Sequence, residues 1–163
     1  MKVHFTADEC VMGATAGIFR QMWALSHGCR DYHGADSRVN GWQVAIEGCL
    51  GEHAVAKAAN IWHCGRGVFR GPDVGEDWEV RTSGHRNGRL IIREKDHDEA
   101  PYILVIGFCR DYELKGWMLG RDAKKECYLT APDKTRQSCY CVPAADLKPM
   151  EELFNESNYK EAR

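Results

Sequence analysis

The chain lacks several features that would assign it to a familiar class of protein. Its 163 residues contain no run of about 18 consecutive apolar residues, so we expect no transmembrane helix and no membrane partner. Residues 1–9 acquire acidic side chains too early for a secretory signal, and we therefore expect the protein in the cytoplasm. Internal repeats and low-complexity segments are also absent. A chain of this length fits one domain, residues 1–163, with a core of its own.

Eight cysteines are present, but no two of them form a CxxC pair. In a cytosolic chain with a sizeable core, reduced thiols are a better interpretation than disulfides. Cys127, Cys139 and Cys141 are close enough in sequence to contribute to a zinc or iron–sulfur site, although their spacing matches no common pattern. We favour small buried apolar side chains over such a site. The seven histidines likewise lack a spacing such as HExxH.

The net charge of −2 leaves nucleic-acid binding open, because the local placement of arginine and lysine decides it. Arginines are concentrated on both sides of Asp73. A face shared by alternate arginines on a strand favours phosphate contacts that are independent of base sequence and sensitive to salt. An ordinary solvated sheet face is the alternative. The candidate nucleic-acid-binding residues are Arg66, Arg70, Arg86, Arg89 and Arg93.

Two long helices are predicted first, over residues 7–27 and 42–59. Thr6 followed by Glu9 is typical of a capping box at the start of the first helix. Ile18, Met22 and Leu25 recur at helical spacing within it. We treat residues 1–30 as an N-terminal helical extension.

Short strands and two further helices complete the predicted order. The near-continuous apolar run in 101–108 predicts a strand in the middle of the sheet with both faces covered. This order of elements predicts a mixed α/β domain with a single central mixed sheet flanked by helices. The predicted strands are 61–69, 77–83, 88–94, 101–108, 111–119 and 138–143, and the later helices begin at 120 and span 144–154.

Three acidic motifs occur in a suggestive order: Gly51-Glu52-His53 on the second helix, Pro72-Asp73 in a turn, and Glu79-Val80-Arg81 on a strand. Together they resemble the PD-(D/E)XK superfamily of nucleases, which includes restriction endonucleases, phage exonucleases and repair nucleases. The resemblance covers residues 42–119, with arginine at position 81 where the family has lysine. It implies a restriction endonuclease-like fold of the small phage or prophage type, and a metal-dependent phosphodiesterase acting on DNA more than on RNA.

The resemblance implies Glu52, Asp73 and Glu79 as ligands of Mg²⁺ or Mn²⁺, with Arg81 beside them. Residues two apart on a strand point the same way, so Glu79 and Arg81 share a side and Val80 faces the opposite layer. A hard dication bound to carboxylates polarises a phosphate and lowers the pKa of an attacking water. Arginine can stabilise the charge that develops on the phosphate, but it cannot act as a general base.

The glutamate on the second helix has to be chosen, because Glu47 and Glu52 point about 140° apart. Glu52 lies at the edge of the apolar face, where the helix can approach the sheet, so we assign it to the site. Two alternatives to an active nuclease remain. One is a degenerate relative that binds nucleic acid or a protein without cleavage, which Arg81 favours. The other is an interaction protein of the same class, in which Pro72-Asp73 is a turn and the carboxylates are solvated.

Overall fold

The computed structural model describes residues 1–28, 40–65, 71–130 and 138–161, with side chains up to residue 155. None of the helices in these ranges is long and apolar enough to cross a membrane. The described α-helices are α1 (Ala7–Ser26), α2 (Gly41–Ala59), α3 (Gly120–Ala123) and α4 (Met150–Glu161). The strands are β1 (Lys2–His4), β2 (Glu79–Ser83), β3 (Leu90–Ile92), β4 (Pro101–Phe108), β5 (Asp111–Leu119), β6 (Leu129–Thr130) and β7 (Cys139–Val142).

Local sequence signals fix the ends of the two long helices. At the start of α1, Thr6 Oγ1 accepts from the Glu9 amide at 3.2 Å, and the Glu9 carboxylate accepts from the Thr6 amide at 2.7 Å. Asn40 caps α2 by accepting from the Trp42 amide at 3.0 Å. The helix ends at Asn60, whose φ of 56° lies in the left-handed region. Both helices therefore span almost the predicted ranges.

A four-stranded mixed sheet forms the centre, with strand order β1-β5-β4-β2. The β2–β4 pair is parallel and the other two pairs are antiparallel. Strand β4 is buried on both faces, as its apolar run predicts. Ile103 and Val105 pack toward the helices, whereas Tyr102 and Leu104 belong to a second apolar cluster on the opposite face. The described residues thus confirm a mixed α/β class with a central mixed sheet.

The opposite face of this sheet is covered by a separate three-stranded sheet of order β3-β7-β6. Leu90, Ile92 and Val142 from that sheet are fully buried against β4. The sequence predicted one sheet flanked by helices, and this second sheet differs from that expectation. Alternation along a strand shows which side chains are buried, but it does not show which strand is the hydrogen-bonded neighbour.

Two predicted elements are wrong in the described residues. The strand at 61–69 is irregular over 61–65, where Gly65 has a φ of 66° and Trp62 is 82% exposed. The predicted helix at 144–154 instead begins at Met150 and continues to Glu161. Lys148 explains the late start, because its backbone exchanges two hydrogen bonds with Trp117 of β5, at 2.9 and 3.0 Å. That pairing holds the preceding segment against the sheet. Strand β1, which pairs with β5, was not predicted.

Helix α1, treated as an extension from the sequence, packs closely on α2. Its buried residues are small: Gly13, Ala16 and Gly17. A Cβ at Gly17 would collide with the backbone of α2 at Ile46. The absence of side-chain bulk therefore decides which face of α1 is buried, and it allows residues further along that face to reach into α2.

Candidate functional site

Strand β2 presents the predicted strand motif at the edge of the central sheet. Glu79 and Arg81 are half-buried on one face, and Val80 is buried on the other, among residues of α2. This confirms the predicted alternation. On the α2 side, Gly51 packs directly on Thr82, where any Cβ would overlap the Thr82 side chain. Helix α2 therefore approaches β2 closely at the residue next to Glu52.

Asp73 is held at the free edge of β2 by a tight turn. Its amide donates to the Trp78 carbonyl at 2.9 Å, and its Oδ2 accepts from the Val80 amide at 2.8 Å. The side chain is 25% exposed. Burial, followed by the nearby negative charge of Glu52, raises the pKa of Asp73 to about 7. The Pro-Asp turn is structural and also brings a carboxylate to the site.

Glu52 is the buried charged residue among those described, with 5% exposure. Both of its carboxylate oxygens accept hydrogen bonds from Arg20, each at 2.6 Å. His63 Nε2 lies 3.3 Å from Oε2. Burial alone raises the pKa of Glu52, but His63 and Arg20 together outweigh burial and bring the pKa below its ordinary value. Glu47, by contrast, is bonded to Gln43 at 2.8 Å along its own helix, so Glu52 is the more buried of the two glutamates. It is Glu47, however, that lines the groove described below, and the assignment of Glu52 to a metal site stays a prediction.

Arg20 belongs to the candidate site but lies outside the three acidic motifs of the sequence. It lies on α1, and besides binding Glu52 it donates from Nε to the Gly65 carbonyl at 2.9 Å. One guanidinium therefore ties together α1, α2 and the irregular segment 61–65. A signal existed in the sequence, because Arg20 follows Gly13, Ala16 and Gly17 on the same helical face. An arginine at the end of a small-residue face marks a place where a long side chain can reach a neighbouring helix.

Arg81 stands among three carboxylates on the sheet face away from α2. Its guanidinium lies 3.6 Å from Asp73, 3.4 Å from Glu79 and 3.4 Å from Asp96. It also lies over the Tyr102 ring, 4.9 Å from the centroid. Asp96 follows strand β3 in a turn, and its side chain is only 12% exposed. Arg81 thus partly neutralises the acidic cluster, at the position where the nucleases that the sequence resembles have a lysine.

An open groove of about 1550 Å³ runs past this cluster. Its lining includes Arg20, Asp73, Glu79 and Arg81, and also His85, Arg89, Ile91 and Arg93. Glu52 does not line the groove and lies behind Arg20.

Two of the five predicted phosphate-binding arginines, Arg89 and Arg93, reach the groove. Arg86 is exposed outside its lining. Arg66 and Arg70 fall outside the described residues. Part of the predicted basic surface is therefore brought together with the acidic cluster.

The described residues contain no group of three or more His, Cys, Asp or Glu side chains arranged to hold a metal ion. Glu52, one of the three predicted ligands, already has both oxygens occupied by Arg20. Asp73 and Glu79 remain as oxygen donors on the groove wall. Mg²⁺ is commonly held by one or two carboxylates together with waters and substrate phosphates. The donor chemistry therefore fits a hard dication held by two carboxylates.

The three cysteines considered for a soft-metal site are free thiols. Cys139 and Cys141 are half-buried with their sulfurs 3.7 Å apart, whereas Cys127 is exposed. Of the described cysteines, only Cys49 is fully buried. Burial raises the pKa of its thiol to about 12. The Cys49 thiol is therefore a poor nucleophile and a poor metal ligand.

No protein-family model, no curated protein and no solved structure matches the chain. The resemblance to the PD-(D/E)XK nucleases therefore stays a prediction, and the functional interpretation depends on the geometry of the site.

Proposed function

We propose that the protein is a metal-dependent phosphodiesterase that cleaves nucleic acid, DNA in preference to RNA, on a restriction endonuclease-like core. The observation that carries this proposal is the shared groove wall of Asp73, Glu79 and Arg81. Carboxylates that suit a hard dication lie there beside a guanidinium that suits a phosphate. Arg89 and Arg93 extend positive charge along the same groove.

Each residue has a distinct role in this proposal. Asp73 and Glu79 would hold Mg²⁺ or Mn²⁺, which would polarise the phosphate and lower the pKa of an attacking water. Arg81 binds non-bridging phosphate oxygens and balances the charge that develops on them. Arg89 and Arg93 contact the backbone away from the reacting phosphate, which makes binding sensitive to salt. Glu52 acts indirectly, since it fixes the position of Arg20 at the groove wall.

Proton transfer is limited by the side chains present. Arg81 stays protonated and cannot accept a proton from water. Asp73, with its pKa raised to about 7, holds a proton on its carboxyl group below neutral pH. A dication would favour the ionised form of Asp73 and release that proton. Binding of the metal should therefore weaken as the pH falls below about 7.

A binding protein without cleavage is the second candidate, and one observation favours it. Arg81 already lies within ion-pair distance of Asp73, Glu79 and Asp96. A guanidinium in that position supplies part of the positive charge that a dication would otherwise provide. In that case, nucleic-acid binding should persist in EDTA, and Arg89 and Arg93 should carry most of the affinity.

Cleavage assays on linear and circular duplex DNA, single-stranded DNA and RNA test the proposal, with Mg²⁺, Mn²⁺ or EDTA. Wild type should cleave only with metal, and Asp73→Asn and Glu79→Gln should abolish cleavage while the circular dichroism spectrum stays unchanged. An amide is nearly isosteric with a carboxylate but binds a hard dication far less well. Glu113→Gln is the matched control, because Glu113 on β5 pairs with Lys115 away from the groove.

Three outcomes contradict the nuclease proposal. Cleavage that survives both EDTA and the two carboxylate substitutions would exclude the metal-site mechanism. Binding of nucleic acid without cleavage of any substrate in any metal would replace the nuclease with the binding protein. Failure to bind either metal or nucleic acid would leave the third alternative, an interaction protein of the same fold class.

A further inference from the structure

Helix α1 is apolar on two opposite faces. One face, formed by Gly13, Ala16 and Gly17, is buried against α2. A helix at the surface of a globular protein normally carries polar side chains on the face away from the core. On α1, that outer face instead carries exposed apolar residues, and the chain leaves them uncovered in the described structure. Their exposures are 64% for Val11, 38% for Ile18, 53% for Met22 and 57% for Leu25, and Met12, which is 54% exposed, flanks them at the edge of this face.

The spacing of this outer face indicates what kind of surface would cover it. Val11, Thr15, Ile18, Met22 and Leu25 follow one another at intervals of four and three residues. That is the a/d seam of a heptad repeat, which packs against another helix of matching spacing. Thr15, the polar member, has its hydroxyl satisfied at 2.7 Å by the Val11 carbonyl of its own helix. Burial of the seam would therefore leave no unpaired polar side chain along it.

We propose that α1 pairs in antiparallel orientation with α1 of a second copy of this chain, so that the protein is a homodimer. An antiparallel pair centred on Ile18 places Val11 opposite the partner's Leu25, and Thr15 within one residue of the partner's Met22. Both contacts join side chains that are apolar or, in the case of Thr15, already hydrogen-bonded within their own helix. A self-complementary patch of this kind is what a two-fold dimer requires.

The area of the interface and the charges at the ends of α1 both favour a second copy of the chain as the partner of this face. The five exposed apolar side chains present on the order of 500 Å², so two copies would remove roughly 1,000 Å² from water, the lower limit for a specific interface. In the first turn of α1, Glu9 is ion-paired with Lys57 of α2, so Asp8 supplies the negative charge of that turn, and the last turn carries no basic residue. A parallel pair would place these acidic turns side by side, whereas the antiparallel pair separates them.

A membrane surface fits the same face less well. Helices that lie on membranes are rich in lysine and arginine along their polar side. The only basic residue of α1 is Arg20, and its guanidinium is bound to Glu52 and Gly65. The acidic first turn would be repelled by anionic lipid. The observations therefore favour a second copy of the chain over a lipid surface.

Light scattering on the full chain at several concentrations tests the proposal. Wild type should have twice the monomer mass, and Ile18→Glu should have the monomer mass with an unchanged circular dichroism spectrum. The matched control is Leu129→Glu, since Leu129 is an exposed apolar residue, at 49%, on the three-stranded sheet. That variant should remain dimeric.

Charge rescue separates direct pairing from misfolding and fixes the orientation. Ile18→Glu and Ile18→Lys should each be monomeric, and a mixture of the two should recover the dimer. Val11→Glu should pair with Leu25→Lys but not with Val11→Lys. A wild type that is monomeric at every concentration overturns the proposal, as does a dimer that Ile18→Glu leaves intact. Binding of a monomer through α1 to anionic vesicles, or to another protein, would also overturn it in favour of that occupant.

Discussion

Arg20 and Glu52 form a two-pronged ion pair that joins α1 to α2, with both nitrogen–oxygen distances at 2.6 Å. The Glu52 side chain is 7% exposed and that of Arg20 is 21% exposed. A buried carboxylate stays ionised only when a cation and hydrogen bonds compensate for its lost hydration. The pair therefore makes the position of Glu52, and the wall of the groove beside it, dependent on α1.

We expect Arg20→Leu to lower the free energy of unfolding by about 3–5 kcal/mol, because it leaves the buried Glu52 charge without its main partner. Adding Glu52→Gln to that variant should recover part of the loss, since the amide carries no charge. Urea unfolding followed by circular dichroism measures both effects. The control is Lys57→Met at the exposed Lys57–Glu9 pair, where the loss should be much smaller because solvent screens the two charges. Equal losses at the two pairs would contradict this account.

Asp73 should make the protein less stable as the pH rises from about 4 to about 7. The folded state holds the Asp73 proton over this window and the unfolded chain does not. Protonation of Asp73 therefore stabilises the fold at low pH, and this stabilisation is lost as the pH rises through the pKa of the folded state. Asp73→Asn does not titrate and keeps an acceptor for the Val80 amide. Its stability relative to wild type should therefore rise across the window and level off above pH 7, by about 1–2 kcal/mol once exposure of the side chain is allowed for.

The control for this pH effect lies in the same turn. Glu76 is exposed, so Glu76→Gln should show no such change relative to wild type. Chemical denaturation at several pH values checks both variants. A difference between Asp73→Asn and wild type that is constant with pH, or that shrinks as the pH rises, would refute the assignment. Mg²⁺ should reduce the difference at pH 8 if Asp73 is a ligand.

Two glycines of α2, three residues apart, should respond in opposite ways to alanine. Gly48→Ala should stabilise the protein by about 0.5–1 kcal/mol, since no atom lies near the added methyl and alanine favours the helix. Gly51→Ala should destabilise it by about 1–3 kcal/mol, because the methyl overlaps Thr82 and pushes α2 away from β2. Thermal unfolding compares the two variants. In a Thr82→Gly background the effect of Gly51→Ala should shrink, and its persistence there would argue against the Thr82 contact.

Arg81→Lys should separate the two candidate functions. If the protein is an active nuclease, lysine at this position is the residue that the PD-(D/E)XK nucleases have there, so cleavage should be retained or increased. Arg81→Met should lose cleavage, because it removes the cation beside Asp73 and Glu79. Initial rates with Mg²⁺ and Mn²⁺ measure this ranking. In a binding protein, both substitutions should change only affinity, and the lysine variant should remain inactive.

The sequence by itself determined the elements whose causes are local. The capping box at Thr6 and the apolar run of β4 are short-range signals, and they located the start of α1 and the central strand closely. The alternation of side-chain direction along β2 is also local, and it placed Glu79 and Arg81 on one face. The helical wheel of α2 likewise turned Glu52 inward, since the direction of a side chain follows from the helix period.

Only the tertiary structure decided which elements meet. Arg20 reaches Glu52 across 32 residues because small side chains let α1 approach α2. Strand β1, the second sheet and the late start of α4 depend on backbone pairings between distant segments, and no local pattern specifies those pairings. The packing also decided that Glu52, one of the three predicted ligands, has both oxygens bound by Arg20. A motif gives the order of carboxylates along the chain, but the cation that occupies each carboxylate depends on how the helices and strands pack.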